Sequence, residues 1–257
     1  MSKRFEGRVV LITGASEGIG LAIAERLVEE GARVAICGRR AEPLQAVAER
    51  LSAFARAFDV ADTQQLEAFV ADTHAHFGRL DGLVNNAMLA SWGAIVDTDV
   101  DGFRQDFRVN VDAAFASTRR AMMLMAAQGS GSILNIASIN GVLAIDNMAA
   151  YSASKAALVH FSKCAAMECA ADGVRVNTIA PGVIATQATE TALGGIPGYK
   201  EAVAGGVPMQ RLGEPAEVAA AAAFLLSDEA GYITATCLSV DGGKSSQLVV
   251  PPPPASH

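Results

Sequence analysis

The feature of this sequence that most restricts its fold is a regular alternation of strand-like and helix-like segments. The first segment, residues 8–13, is an almost continuous apolar run, as expected for a strand that is buried on both faces. The pattern predicts seven strands, over residues 8–13, 34–37, 54–58, 80–85, 132–137, 174–179 and 237–240. It predicts helices over residues 19–30, 41–51, 63–77, 100–128, 149–172 and 215–227. Such repeated units favour an α/β fold, with a doubly wound (Rossmann) seven-stranded parallel sheet and helices on both faces.

The length and charge of the chain narrow its class further. Its 257 residues fit one α/β unit and no linker divides the alternation, so we expect a single domain over residues 1–250. Four consecutive prolines cannot join a helix or a sheet ladder, and residues 251–257 are therefore expected to form an extended tail. The net charge of −7 argues against nucleic-acid binding, which favours basic proteins.

Membrane and metal-binding signals are both missing from the sequence. It contains no apolar stretch of the roughly 18 residues that a membrane helix needs, and it begins without an apolar signal segment. We therefore expect a cytoplasmic protein that does not enter a membrane. The four cysteines have no CxxC spacing, which indicates buried small side chains in a reducing compartment rather than disulfides. His74 and His76 lie on different helix faces, so no metal site is predicted.

A glycine-rich turn joins the first predicted strand to the first helix. It reads Thr13-Gly14-Ala15-Ser16-Glu17-Gly18-Ile19-Gly20. Glycines at these positions permit a tight turn and let backbone amides approach a pyrophosphate at the helix N-terminus. A glycine-rich turn also occurs as a plain structural turn, but its position between a strand and a helix favours a dinucleotide site.

The end of the second strand indicates which dinucleotide is bound. An acidic residue there would bond the ribose 2′-hydroxyl and repel a 2′-phosphate. The position instead holds Gly38, followed by Arg39 and Arg40. Arginine binds phosphate through a charge-assisted fork, so NADP(H) is favoured over NAD(H). Two solvated arginines at a helix start are the alternative, and Glu17 inside the phosphate loop argues against NADP(H).

Six short motifs resemble those of the short-chain dehydrogenase/reductase family. They are TGASEGIG at 13–20, NNA at 85–87, Asn110, Ser138, YSASK at 151–155 and PGVIAT at 181–186. The resemblance extends over about residues 7–243, and the motifs follow the order found in the family. It implies a nicotinamide-dependent oxidoreductase that interconverts carbonyl and alcohol groups.

The resemblance implies four catalytic residues, Asn110, Ser138, Tyr151 and Lys155. Tyr151 and Lys155 are four residues apart on one predicted helix and therefore share a face. A free phenol has a pKa of about 10, and a nearby ammonium together with the positive nicotinamide would lower that pKa. Tyr151 is then the proton-transfer acid/base, and Ser138 donates a hydrogen bond to the substrate oxygen. In the family, Asn110 holds a water that passes protons from Lys155. A Tyr–Lys pair alone is common on helix surfaces, so the prediction rests on the whole set.

The same resemblance, together with the two glycine and arginine signals, assigns the cofactor contacts. The predicted cofactor-binding residues are Gly14, Ser16, Glu17, Gly18, Ile19, Gly20, Gly38, Arg39, Arg40, Asp59, Val60, Asn86, Ala87, Tyr151, Lys155, Pro181, Gly182, Ile184 and Thr186. Asp59 and Val60 would flank the adenine, and the last four residues would seat the nicotinamide. Asp59 is also a candidate for the residue that begins the next helix.

The substrate should lie outside the carboxyl ends of the strands. The residues expected there are Met88, Leu89, Trp92, Asn140, Ile145, Met148, Ile184 and part of a glycine-rich lid over residues 187–212. They are mostly apolar and include no clear clamp for a carboxylate, which predicts a neutral, hydrophobic ketone or secondary alcohol. Several of these residues can equally serve packing alone. Relatives usually have glycine where this chain has Met88 and Ala235, which bears on substrate preference.

Three functions are compatible with these residues. The favoured one is an NADP(H)-dependent ketoreductase or alcohol dehydrogenase acting on a small molecule. The second is a reductase of 3-oxoacyl thioesters carried by a carrier protein or CoA. The third is a non-catalytic nucleotide-sensing protein, against which the intact Ser138, Tyr151 and Lys155 argue.

Two long predicted helices carry more apolar residues than one packed face requires. They cover residues 100–128 and 149–172, and their surplus includes Phe115, Met123 and Met167. Because exposed apolar surface of this kind marks interfaces, and because relatives pair these helices, a homotetramer with two-fold symmetry is predicted.

Overall fold

Seven strands form one parallel sheet in the computed structural model, which describes residues 3–248. They are β1 Val9–Thr13, β2 Arg33–Gly38, β3 Phe54–Ala57, β4 Gly82–Asn85, β5 Gly131–Ile136, β6 Val174–Pro181 and β7 Cys237–Val240. Their order across the sheet is β3-β2-β1-β4-β5-β6-β7, and each neighbouring pair is parallel. The chain reverses its direction of travel across the sheet between β1 and β4, which places a crevice beyond the carboxyl ends of these strands. The predicted fold class is confirmed.

Helices cover both faces of this sheet. They are α1 Gly18–Glu29, α2 Ala41–Leu51, α3 Thr63–Phe77, α4 Val100–Phe107, α5 Ala113–Gln128, α6 Ala149–Cys169, α7 Gln187–Leu193, α8 Tyr199–Gly205 and α9 Pro215–Leu226. One core contains residues of α1, α2 and α9, and the other contains residues of α3, α5 and α6. Along β1, Val10 and Ile12 join the first core while Val9 and Leu11 join the second. All four side chains are buried, which explains why this strand reads as a continuous apolar run.

The predicted helix over residues 100–128 is not regular. A π-helical turn, Arg108–Asp112, joins α4 to α5. Such turns are rare and often lie at functional sites, and this one carries Asn110. The apolar residues keep a helical spacing through the turn, so the sequence pattern gives no sign of it.

The glycine-rich segment over residues 187–212 contains two short helices that the sequence reasoning did not predict. The Thr186 hydroxyl accepts a hydrogen bond from the Thr189 backbone at 3.2 Å and so caps α7. Gly198, at a φ of +76°, precedes α8. Both helices have seven residues, which is too short for hydrophobic periodicity to reveal them.

The cysteines were expected to be buried, and the structure agrees for only some of them. Cys37 and Cys169 are buried, but Cys164 is exposed on α6, so the expectation of buried cysteines is wrong there.

Among residues 3–248, no group of three or more His, Cys, Asp and Glu side chains could hold a metal ion. Within the same range, no helix is both long and apolar enough to cross a membrane. The tail over residues 251–257 lies outside the described residues, and the single domain over residues 1–250 stays a prediction.

Candidate active site

The phosphate loop connects β1 to α1 and leaves the amino end of that helix open. Gly14 and Gly18 have φ values of +67° and +58°, which favour glycine. Glu17 occupies the N-cap position but its side chain caps no backbone amide, and the first turn of α1 holds no acidic residue. The first amides of an α-helix have no partner inside the helix, so those of α1 are placed to bind an anionic group.

A close backbone contact holds this loop against the segment that follows β4. A Cβ atom on Gly14 would lie 2.8 Å from the Ala87 Cα atom. A Cβ atom on Gly20 would overlap the Gly14 carbonyl oxygen and the side-chain amide nitrogen of Asn86. The Asn86 side chain donates hydrogen bonds of 3.0 Å to the carbonyl oxygens of Thr13 and Gly14. Because Gly14 and Gly20 have no side chains, a space remains between the loop and the start of α1, and a side chain at either position would fill it. This space is called the glycine cradle.

Thr13 ties the ends of β1 and β4 together. Its hydroxyl oxygen accepts hydrogen bonds of 3.0 Å from the backbone amides of Asn86 and Ala87. Sequence reasoning included Thr13 in the glycine-rich motif but gave it no role. A hydroxyl residue directly before the first glycine was the signal that could have identified it.

The end of β2 brings two cations to the edge of the same crevice. Gly38 is buried, whereas Arg39 and Arg40 are exposed. Arg40 forms an ion pair of 2.7 Å with Glu17. Arg39 forms no ion pair with any residue in the described part of the chain. One of the two arginines therefore pairs with Glu17, and the other is exposed and has no ion-pair partner among the described residues.

Ser138, Tyr151 and Lys155 meet where β5 ends and α6 begins. Tyr151 and Lys155 are both buried, one turn apart on α6. The Lys155 Nζ atom lies 5.7 Å from the centre of the Tyr151 ring and donates a 2.9 Å hydrogen bond to the Ile136 carbonyl oxygen. The Ser138 hydroxyl oxygen accepts a hydrogen bond of 3.1 Å from the Asn140 backbone, which leaves its own hydrogen available.

Burial shifts the pKa of both ionisable groups of this set. Desolvation raises the pKa of Tyr151, and the adjacent Ser138 hydroxyl partly offsets the rise. Desolvation lowers the pKa of Lys155 to about 7. The sequence reasoning expected the lysine to lower the phenol pKa. In the structure desolvation is instead the largest cause of the Tyr151 shift, and it raises the pKa because the phenolate is costly away from water.

Asn110 lies in the π-helical turn and faces the neighbouring loop rather than the cleft. Its side chain accepts a 2.9 Å hydrogen bond from the Leu89 amide and donates to the Leu89 carbonyl oxygen at 2.8 Å. It also donates at 2.9 Å to the Ser154 hydroxyl, which in turn donates at 2.7 Å to the Tyr151 carbonyl oxygen. Asn110 thus joins the segment after β4 to the helix that carries Tyr151.

Most of the predicted site residues line one cleft, with a volume of about 630 Å³. The predicted residues in its lining are Gly14, Ser16, Glu17, Gly18, Ile19, Gly38, Arg39, Arg40, Asp59, Val60, Asn86, Ala87, Met88, Leu89, Ser138, Tyr151, Lys155, Pro181, Gly182, Ile184 and Thr186. Those outside the lining are Gly20, Asn110, Trp92, Asn140, Ile145 and Met148. Trp92 is 65% exposed, and the Asn140 side chain contacts the Met148 sulfur at 3.6 Å.

Two residues singled out from the sequence have local structural roles. Asp59 accepts a hydrogen bond from the Ala61 amide, whereas Asp62 caps α3 by accepting from the Gln65 amide. Asp59 therefore does not begin that helix. Ala235 has a φ of +61°, a conformation that costs an alanine energy and suits glycine.

A second cavity, of about 560 Å³, lies at the opposite, amino edge of the sheet. Its lining includes Arg4 and Arg8, but their side chains are engaged. Arg4 pairs with Glu30 at 2.6 Å, and Arg8 pairs with Asp228 at 2.7 Å. The catalytic candidates all lie at the carboxyl edge, so this cavity is separate from them.

Comparisons with known proteins agree with this geometry. A family model described as Enoyl-(Acyl carrier protein) reductase matches residues 14–245. The chain is 35% identical over 256 residues to levodione reductase of Leifsonia aquatica, covering 95% of this chain and 96% of that protein. It is 36% identical over 241 residues to 3-oxoacyl-[acyl-carrier-protein] reductase FabG of Salmonella typhimurium, covering 93% and 98%. A crystal structure of levodione reductase superposes with a TM-score of 0.89 at 33% identity, covering 95% of this chain and all of the other.

Proposed function

The chain belongs to the short-chain dehydrogenase/reductase family of oxidoreductases, and from that premise we propose that it is an NADP(H)-dependent ketoreductase. Its substrate is a neutral, hydrophobic ketone or the corresponding secondary alcohol. The observation that carries the proposal is the single cleft that contains both the phosphate loop and the Ser138–Tyr151–Lys155 set.

The catalytic residues have different roles in the reaction at the carbonyl oxygen. When bound, NADPH supplies the hydride. Tyr151 gives its phenol proton to the oxygen in reduction and takes it back in oxidation, and a raised pKa favours the protonated form that reduction needs. Ser138 donates a hydrogen bond to the same oxygen. Lys155 stabilises the phenolate that is left, and Asn110 holds the loop at Leu89 in place.

Other residues of the cleft hold the cofactor. The open amino end of α1 and the glycine cradle receive the pyrophosphate. Asp59 and Val60 line one part of the cleft and would border the adenine, and the segment from Pro181 to Thr186 lines another part and would border the nicotinamide. Arg39 is assigned to the 2′-phosphate, since Arg40 already pairs with Glu17.

We expect a higher kcat/KM with NADPH than with NADH. Arg39→Ala should raise the KM for NADPH and leave that for NADH nearly unchanged, because only NADPH carries the 2′-phosphate. Gly38→Asp should move the preference toward NADH by repelling that phosphate. A Cβ atom at Gly38 would meet Leu44 and Ser16 at 3.7 Å, an ordinary contact, so the aspartate fits. Steady-state kinetics with both cofactors measures this; equal or better use of NADH by the unmodified enzyme contradicts it.

The surroundings of the cleft support an apolar substrate. Large apolar side chains are exposed on the segments that follow β4, β5 and β6: Met88, Trp92, Ile95, Val96, Val142, Leu143, Ile145, Ile196, Tyr199 and Met209. The two bases in the last of these segments are ion-paired, Lys200 with Glu190 and Arg211 with Glu217, each at 2.6 Å. They are therefore engaged rather than available to clamp a carboxylate.

A 3-oxoacyl thioester is the second candidate substrate, because the chain is 36% identical to a 3-oxoacyl-[acyl-carrier-protein] reductase. NADPH oxidation should be assayed against neutral ketones, a 3-oxoacyl-CoA and a 3-oxoacyl carrier protein. Faster kcat/KM with a neutral ketone supports the proposal, and faster turnover of a thioester supports the second candidate. Tight NADPH binding without turnover of any substrate would leave only a nucleotide-sensing role.

We also propose a homotetramer, held in part by the outer faces of α5 and α6. Phe115, Met123 and Met167 are 52%, 60% and 65% exposed on these helices, and the Phe115 ring lies 5.8 Å from that of Phe161. Light scattering at micromolar concentration should give four times the 26.5 kDa chain mass. Met123→Glu should lower that mass, because it places a charge in the apolar interface. A monomeric mass for the unmodified protein contradicts this proposal.

A further inference from the structure

A buried carboxylate that none of the proposed steps uses lies close to the catalytic residues. Asp106 is fully buried in the last turn of α4, and it is the one residue of that helix that is buried. No arginine, lysine or histidine within residues 3–248 forms an ion pair with it. Burying a carboxylate without a countercharge is costly, so its position calls for an explanation.

The partner of Asp106 is Ser91, in the segment that follows β4. The Ser91 hydroxyl donates a hydrogen bond of 2.6 Å to one carboxylate oxygen, and the Ser91 amide donates one of 3.3 Å to the other. Two positions earlier, Leu89 is held by Asn110, which lies four residues after Asp106. The two side chains thus hold the same segment at alternate residues.

That segment is one wall of the cleft and is connected to a second wall. Met88 and Leu89 line the cleft. The Gly93 amide donates a 2.8 Å hydrogen bond to the Asn147 carbonyl oxygen, and Gly93 pairs with Met148 directly before α6. A displacement of residues 88–93 would therefore reach both the substrate space and the helix that carries Tyr151.

Asp106 also acts on the catalytic residues through its charge. It raises the pKa of Tyr151 and opposes the lowering of the pKa of Lys155 by burial. Other charged side chains on the surrounding elements, Arg104, Arg108 and Asp146, are exposed, and solvent screens them.

We propose that Asp106 is a positioning residue of the active site, which anchors the cleft wall over residues 88–93 through Ser91. From the same buried position its charge acts on Tyr151 and Lys155. The anchor is independent of the reaction, whereas the effect on the two catalytic residues rests on the proposed function. The two parts are therefore tested by different measurements.

The anchor is tested by amide hydrogen exchange, which needs no substrate. Asp106→Ala and Ser91→Ala should each speed the exchange of residues 89–93 by about tenfold or more, the effect of losing about 1.4 kcal/mol of local stability. Asp101→Asn is the matched control, because it removes an exposed carboxylate from the same helix. Unchanged exchange in both Asp106→Ala and Ser91→Ala would overturn the anchor.

The charge effect is tested by the pH profile of kcat/KM for alcohol oxidation. Asp106 raises the pKa of both Tyr151 and Lys155, so removing its negative charge should lower both pKa values. The phenolate of Tyr151 is then available at lower pH. Asp106→Asn should move the midpoint down by about half a unit or more, while Ser91→Ala and Asp101→Asn should leave it in place. A midpoint that stays or rises in Asp106→Asn overturns this part. An unmodified protein that reduces no ketone and oxidises no alcohol refutes the proposed function instead, and the exchange measurement then decides on Asp106.

Discussion

Tyr151→Phe is expected to lower kcat by about 100-fold or more while the affinity for NADPH changes little. The substitution removes one oxygen and keeps the ring, so the packing of this buried side chain is preserved. The carbonyl oxygen then has no proton donor as hydride arrives, and general acid catalysis contributes about 10²–10⁴-fold. Steady-state kinetics beside a cofactor-binding titration measures both quantities.

Tyr232→Phe is the matched control for this substitution. Tyr232 is fully exposed at the amino edge of the sheet, on the far side from the cleft. It loses the same hydroxyl group and should keep wild-type kinetics. If Tyr151→Phe retains more than about a tenth of the wild-type kcat, well inside the expected loss, the assignment of the acid/base is wrong.

Substitutions of Ser138 and Lys155, the neighbours of Tyr151, should have kinetic effects that differ from that of Tyr151→Phe. Ser138→Ala removes a supporting hydrogen bond, so kcat should fall by less than in Tyr151→Phe. Lys155→Ala should lower both kcat and cofactor affinity, because that side chain is predicted to bind the cofactor as well as to stabilise the phenolate. In the oxidative direction the rate should rise with pH through the pKa of Tyr151, since the phenolate is the base.

Gly20→Ala is expected to weaken NADPH binding by about 10- to 100-fold. A Cβ atom at this position would overlap the Gly14 carbonyl oxygen and the Asn86 amide that bonds to it. The Gly14 carbonyl belongs to the turn that shapes the phosphate site, and this backbone group cannot move aside as a flexible side chain can. The Asn86 side-chain amide lies on the segment after β4 and holds the turn through its hydrogen bond. Overpacking of this kind costs about 1–3 kcal/mol, and each 1.4 kcal/mol is about tenfold in Kd. Fluorescence titration with NADPH measures the loss.

Gly205→Ala provides the control for this backbone change. Gly205 ends α8, has no positive φ, and a Cβ atom there would meet nothing within 4 Å. It should bind NADPH as the unmodified protein does. If Gly20→Ala binds NADPH with wild-type affinity, the close contact between α1 and the phosphate loop does not shape the site.

Elements with complete local signals could be predicted from the sequence. α2 and α3 begin and end at the predicted residues, because each has an apolar face and a defined end. Each helix ends at a residue with positive φ, Ser52 at +51° and Gly78 at +76°, and of the two only the glycine is a recognisable end signal in the sequence. The cleft could be predicted as well, because the carboxyl ends of parallel strands meet at one edge and the motif residues follow those ends.

Features that depend on contacts between distant segments could not be predicted. The π-helical turn at Asn110 keeps the apolar spacing of a regular helix, so only the backbone of the folded chain reveals it. Asp106 reads as one of several charged residues on α4, like Asp101, and no pattern distinguishes the buried carboxylate from the exposed one. The pKa of Lys155 depends on burial in the finished fold, which a spacing of four residues does not specify.

The hydrogen bond between Gly93 and Asn147 has a consequence for changing what this enzyme accepts. Asn147 holds a left-handed conformation, at a φ of +58°, in order to present its carbonyl oxygen. The two loops that it joins are more than fifty positions apart in sequence, yet this hydrogen bond and the bridge between Gly93 and Met148 connect them directly. Laboratory evolution toward a bulkier ketone should therefore vary residues 88–93 and 142–148 in the same library. A library confined to one loop would select substitutions whose benefit is cancelled by the shift they impose on the other.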